Sequence, residues 1–322
     1  MSKVFDVTKS VAPKGRTILL AEDLNRVRGD SDNSYLVSQF SEEISRRLDM
    51  PLSVLYIQNT PKSLFQKNRS PVLSATQKEV FESLYKTMSG EASNVGFYVE
   101  EGEVAETLLS WSERIDVPSP RFIIVSAGKG AGVKKTFLGK VTENLVAHAK
   151  VPLLIFGPAA IENGFQIDEA KRLKILLITD LSRMSRMAEV YAHYIARKTG
   201  GHIVLCHSHA ERVKDFKKSF TAHELTPENV EMISKNMLSE SKRLYEKRLD
   251  YLKNRGISCE GLFLSEEKDF VKSVLHEVQD DYDLVLMGTV SHSQAALGGS
   301  ARKILMKSPV PVLLCRASTI TH

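Results

Sequence analysis

Short apolar runs alternate with longer amphipathic stretches along the whole chain, and the runs come in matching pairs. TILLAED at 17–23 returns as KILLITD at 174–180, FIIVS at 122–126 as LVLMG at 284–288, and VPLLIF at 151–156 as VPVLLC at 310–315. The order is the same in both sets and the spacing is roughly 160 residues, the signature of a tandem duplication. Each run is apolar without alternation and is bounded by polar residues, which predicts a strand buried on both faces of a parallel sheet. The stretches between have helical periodicity, so each half alternates strand and helix. The pattern predicts strands near 17–22, 52–58, 94–100, 121–126 and 151–156, with helices near 34–48, 74–89, 103–115 and 137–149. In the second half it predicts strands near 173–179, 202–207, 257–264, 283–288 and 310–315, with helices near 184–199, 227–254, 267–279 and 299–307. The fold class is α/β, two tandem doubly wound five-stranded parallel sheets.

The domain boundaries follow from the same pattern. Residues 16–157 and 172–316 form the two domains, 1–15 and 317–322 are tails, and 158–171 is a linker rich in Pro, Gly and polar residues. Helix 227–254 is sharply delimited: Thr226 is a capping residue, Pro227 suits the first helical position and Gly256 suits the end. Its stripe Val230, Ile233, Met237, Leu244, Leu249 and Leu252 either packs on the second sheet or presents a partner-binding groove.

Composition narrows the classes. With 42% hydrophobic and 26% charged residues the chain is globular, and Lys plus Arg exceed Asp plus Glu by only 44 to 39, which does not make a polybasic nucleic-acid module. Cys206, Cys259 and Cys315 are an odd set without finger or C-x-x-C spacing, so neither a disulfide framework nor a zinc ribbon is indicated. The first residues lack an apolar signal region, and no apolar run reaches the roughly 18 residues of a membrane span. The expectation is a cytoplasmic protein that engages neither membrane nor nucleic acid.

Ligands of doubly wound sheets collect at the carboxyl ends of the strands, where the loops after strands one and four converge. After strand one stand Asp23 in the first half and Asp180 in the second, carboxylates that either accept from a base amino group, help hold magnesium, or cap a turn. After strand four the first half reads SAGKGAGVKKTFLGK, in which Gly128, Gly130, Gly132 and Gly139 expose backbone amides and Lys129 and Lys140 add charge. A phosphate site and a solvated basic turn both fit it. The second half has GTVSHSQAALGGS, with Gly288, Thr289, Ser291, Gly298, Gly299 and Ser300 but no lysine. His207 and His209 alternate after strand two, a pair that fits either a metal or ordinary strand-end histidines. Ser291-His292-Ser293 has a nucleophile and a base but no orienting acid, and Cys315 reads as core packing.

These residues, with the endings LVAHAKVPLLIF and ILMKSPVPVLLC, resemble the universal stress protein family over nearly the whole chain, and its tandem two-domain members in particular. The resemblance implies strand order 3-2-1-4-5 in each half and pairing of the halves through their fifth strands as an internal pseudo-dimer, with homo-oligomers open. It implies ATP, with magnesium, as the ligand, held by the family's G-x2-G-x9-G-[ST] loop. Aligned on Gly139, the first half places Ser126, Lys129 and Lys140 where the motif has Gly, Gly and Ser or Thr. The second half keeps Gly288 and the Gly298-Gly299-Ser300 end but has Ser291 for the second glycine and a shorter span to Gly298. Both halves are candidate sites, and if only one binds ATP the second is slightly favoured.

Three functions fit: a stress-response binding and signalling module responding to adenine nucleotide, an interaction protein that binds no cofactor, and a slow nucleotide hydrolase or ligase-like enzyme. The first is preferred, without a catalytic residue or a metal centre of its own. Gly139 is expected to be needed for folding as well as binding if its backbone sits against strand four or has positive φ.

Overall fold

The structure, a computed structural model, describes residues 16–22, 31–58, 94–127, 138–182, 185–209, 226–264, 269–279, 281–289 and 297–316. In chain order the first half contains β1 (Thr17–Glu22), α1 (Ser31–Leu48), β2 (Leu52–Gln58), β3 (Val95–Glu101), α2 (Val104–Trp111), β4 (Pro120–Ser126), α3 (Lys140–His148) and β5 (Leu153–Phe156). Then come α4 (Pro158–Glu162), β6 (Lys174–Ile178), α5 (Arg186–Thr199), β7 (His202–Ser208), α6 (Pro227–Asn254), β8 (Ser258–Leu264), α7 (Phe270–Val278), β9 (Leu284–Thr289), α8 (Gly299–Lys307) and β10 (Val312–Arg316). The helix expected near 74–89 lies outside the described residues.

The strands join into a single ten-stranded sheet of order β3-β2-β1-β4-β5-β10-β9-β6-β7-β8. Each half therefore has the order 3-2-1-4-5, with parallel pairing throughout. The halves meet where β5 and β10 pair antiparallel, Leu154 opposite Leu313. Two sheets became one because these last strands are apolar edges; left open, each would offer unpaired backbone to any passing strand. The fifth strand is shorter than its apolar run suggests, beginning at Leu153, since Pro152 has no N–H to give to a ladder.

Helices cover both faces. One face buries Phe40, Ile44 and Leu48 of α1 and Ala188, Tyr191, Ala192 and Ile195 of α5 against Ile18, Leu20, Ile175 and Leu177. The opposite face buries Leu108 and Trp111 of α2, Leu145 of α3, Val274 of α7 and Ile304 of α8 against Leu19, Ile123, Leu176 and Val285. The alternation along each strand sends successive side chains to opposite layers, and both layers being apolar explains the unbroken hydrophobic runs.

The connection between halves is more structured than its composition suggests. Pro158 opens a five-residue helix, α4, and Arg47 at the end of α1 donates to the carbonyls of Lys171, Asp168 and Glu169 at 2.8, 2.9 and 3.1 Å. The linker is thus clipped to the first half.

Helix α6 follows its sequence signals. Thr226 accepts from the N–H of Asn229, Pro227 occupies the first turn, and Gly256 at φ +72 lets the chain leave in the left-handed region. Leu252 is buried and Leu244 and Leu249 are half-buried on the second sheet, while Tyr245 donates to the carbonyl of Leu205 at 2.8 Å. Val230, Ile233 and Met237, nearer the start, are half-buried. No described helix is long and apolar enough to cross a membrane.

Candidate functional site

In the second half the chain reverses its direction of winding between β6 and β9, which are neighbours with Ile178 opposite Met287. Thr179-Asp180, which follow β6, and Gly288-Thr289, which end β9, therefore reach one edge together. Gly288 lies beside Cys315 of β10 and Thr289 beside Arg316. The chain then returns through α8, whose cap is Gly298 (φ −53, ψ 150) with no side chain bonded to the first turn. The opening N–H groups of a helix have no partner within it, so this turn offers donors and the positive end of the dipole. Among the described residues, nothing lies within 4 Å of a Cβ on Gly298 or Gly299.

The corresponding turn of the first half has the same form. Gly139 caps α3 at φ −58 and ψ 150, again without a side-chain cap, and Lys140 follows it exposed. Among the described residues nothing lies within 4 Å of a Cβ at Gly139. Its backbone is not in the positive-φ region and is not apposed to a described strand, so neither of the reasons that would make glycine necessary for folding is met there. Asp23, Gly128, Lys129, Gly130, Gly132 and Ser291 lie outside the described residues, as does the side chain of Thr289.

Asp180 is exposed, and one of its carboxylate oxygens accepts from the N–H of Ser182 at 2.9 Å. The other oxygen has no bond to the described turn. Beneath it lies a buried polar cluster that was not singled out from the sequence. Thr179 Oγ1 is 2.9 Å from Ser185 Oγ, 3.1 Å from Glu189 Oε1 and 3.1 Å from the N–H of Leu181. With Glu189 ionised, one assignment satisfies the hydroxyl fully: it donates to Glu189 and accepts from Ser185 and Leu181. Arg248 of α6 forms an ion pair with the same carboxylate, and the ring of His207 on β7 meets the Thr179 carbonyl through Nδ1 at 2.9 Å.

Burial pushes the Glu189 carboxyl above the usual carboxylate range, against the opposing pull of Arg248, the Thr179 hydroxyl and Arg186. His207 is engaged as a structural group, and among the described residues no three His, Cys, Asp or Glu side chains are grouped to hold a metal. Burial also pushes the Cys206 thiol up to about 12 and raises Cys315, so both are inert core residues. A signal for the cluster did exist: Glu189 falls one residue after Ala188 on the apolar face of α5, where an acid needs a partner.

An α/β sheet wound in this order, with a glycine-opened helix after its fourth strand, defines the class of doubly wound parallel α/β proteins. The sequence profile of the Universal stress protein family matches residues 16–157 and again 171–316, and the chain belongs to that family as a tandem member. Among solved structures, a universal stress protein from Archaeoglobus fulgidus DSM 4304 is similar with a TM-score of 0.61 at 18% identity, covering 93% of this chain and 96% of that one. A putative universal stress protein from Pseudomonas aeruginosa UCBPP-PA14 gives 0.59 at 16% identity, covering 94% of both chains. At these identities the likeness is one of fold. A comparison with curated proteins by sequence finds no match.

Proposed function

We infer that this tandem universal stress protein is a cytoplasmic binding and signalling module whose second half holds an adenine nucleotide, ATP with magnesium, at the carboxyl edge of β6 and β9. The observation that carries the reading is the meeting of Asp180 with the β9 end at the winding reversal, joined to the open glycine cap of α8. The groups suit the ligand: an exposed carboxylate for a base amino group or a cation, and free amides, with Ser300, for phosphate oxygens. Lys140 beside the open cap of α3 makes the first half a second, weaker candidate, in which lysine charge replaces the motif hydroxyl.

The test is titration of the full chain with ATP and magnesium, together with mass spectrometry of small molecules released from freshly purified protein. Asp180→Ala is expected to weaken binding about ten-fold, the equivalent of about 1.4 kcal/mol, without unfolding the exposed turn. Absence of bound or bindable nucleotide in the wild type would overturn the reading and favour an interaction protein.

A further inference from the structure

We propose that Glu189 and Arg248 are positioning residues: they set the shape of the Asp180 turn and, through it, the affinity of the second half for nucleotide. The affinity clause rests on the nucleotide reading above; the clause about the turn does not.

Three observations carry the proposal. First, the turn is held from below. Leu181 sits at φ +62, in the left-handed region that a branched side chain rarely enters, yet it is buried and its N–H is taken by the Thr179 hydroxyl. A non-glycine residue stays there only where its surroundings over-determine it. The hydroxyl that holds it is itself oriented by Glu189 and Ser185, and Ser185 Oγ also lies 3.0 Å from the Ser182 carbonyl, a second acceptor for the same proton.

Second, the ion pair that fixes Glu189 is not a surface pair. The side chains of Arg248 and Glu189 are 21% and 17% exposed, against 52% and 48% for Arg243 and Glu240 on the solvent side of the same helix. Removing one partner leaves the other charge poorly hydrated, and the remaining carboxylate or guanidinium must find a new arrangement.

Third, α6 delivers Arg248 in a fixed register. Tyr245, one turn earlier, is bonded to the Leu205 carbonyl and lies over Gly261, where a Cβ would come within 2.3 Å of the tyrosine oxygen. The long helix is therefore locked on β7 and β8, and its guanidinium arrives at one place. The chain of contacts from α6 through Glu189 and Thr179 ends at the two residues flanking Asp180.

Hydrogen exchange of the full chain, followed by NMR at the Leu181 and Ser182 amides, tests the turn without any ligand. In Arg248→Met and in the isosteric Glu189→Gln, exchange at both amides is expected to rise about ten-fold, while Leu313 in the β5/β10 ladder keeps its protection. Arg248→Lys should restore part of it. ATP titration of the same variants should show affinity falling about ten-fold. Should Arg248→Met fail to fold, Glu189→Gln decides alone. Unchanged exchange in a folded variant overturns the proposal, and so does a loosened turn with unaltered ATP affinity. A wild type that takes up no ATP defeats the nucleotide reading and the affinity clause with it, whereas the exchange result still decides whether these two residues shape the turn.

Discussion

Gly157 is the residue on which the junction of the halves can be tested. It follows β5 and caps α4 with φ −69 and ψ 165, a conformation that alanine adopts freely, so on backbone grounds Gly157→Ala should be neutral or stabilise by about 0.4–1 kcal/mol. The surroundings say otherwise: a Cβ at this position would stand 2.0 Å from the Leu305 carbonyl oxygen and 3.3 Å from its carbon. Relief requires the backbone of α8 to retreat by about 1 Å, because carbon and oxygen do not approach closer than ordinary contact. Ile304 and Leu305 have no exposed surface, which anchors α8 in the core. Overpacking of this kind costs about 1–3 kcal/mol. Urea unfolding of the full chain should report a loss in that range for Gly157→Ala. The control is Gly139→Ala, at φ −58 with no described residue within 4 Å, which should stay within about 0.5 kcal/mol of wild type. A Gly157→Ala protein as stable as wild type would mean that α8 does not approach the end of β5, and the packing of the halves described above would be wrong.

Three further outcomes are expected. Arg47→Met keeps the aliphatic stem but loses three bonds to the linker carbonyls; since those carbonyls can be rehydrated, the loss should be about 1–3 kcal/mol, with faster proteolysis between 162 and 173. Burial, assisted by Arg255 and Arg197, holds the His193 imidazole below its ordinary value of 6.5. The folded chain then binds fewer protons there than the unfolded chain, so stability is full above 6.5 and falls as pH drops through 6.5 toward the lowered folded value; His193→Gln should flatten that part of the urea midpoint profile. Glu143→Arg, which sets two cations together at the α3/α8 contact, should cost about 0.5–1 kcal/mol, and adding Arg302→Glu should restore it, with the difference shrinking in salt.

The inner strands were legible because they are largely unbroken apolar runs with no competing period, and burial on both faces is what such a run means; the edge strands β3 and β8, VGFYVEE and SCEGLFL, are half-buried or exposed and were placed by their position in the alternation. Helix α6 was legible because Thr226, Pro227 and Gly256 mark its ends by backbone chemistry alone. Helix α4 was not, since five residues carry too little periodicity and Pro158 is equally a loop residue. Asp180 could be picked out as a strand-end acid, but the cluster under it joins residues 179, 185, 189, 207 and 248, and only the packing of α5 and α6 on β6 and β7 brings them together. Gly139 misled for a different reason: a glycine in a loop motif can serve an approaching ligand as well as a strained backbone, and the two uses look alike in sequence.

The seam shows what duplication within one chain permits. Leu154 and Leu313 hold the same place in VPLLIF and VPVLLC and face each other across the antiparallel ladder, so a local two-fold axis passes between them. Around such an axis in a homodimer, equivalent residues meet their own copies, and a charge there meets a like charge. Glu143 and Arg302 are equivalents, each four residues after its glycine cap, and they form an ion pair at 3.0 Å. Gly157 and Arg316 are equivalents as well, each the residue following the aligned six-residue run. The first needs no side chain because the Leu305 carbonyl comes close, and the second reaches across to the Ala147 carbonyl near the end of α3, where a cation also answers the helix dipole. These paired differences are open only to halves with separate sequences. They bind unlike partners about a symmetric frame, and the same freedom let the two loops after the fourth strands diverge in sequence, one toward lysine and the other toward hydroxyls.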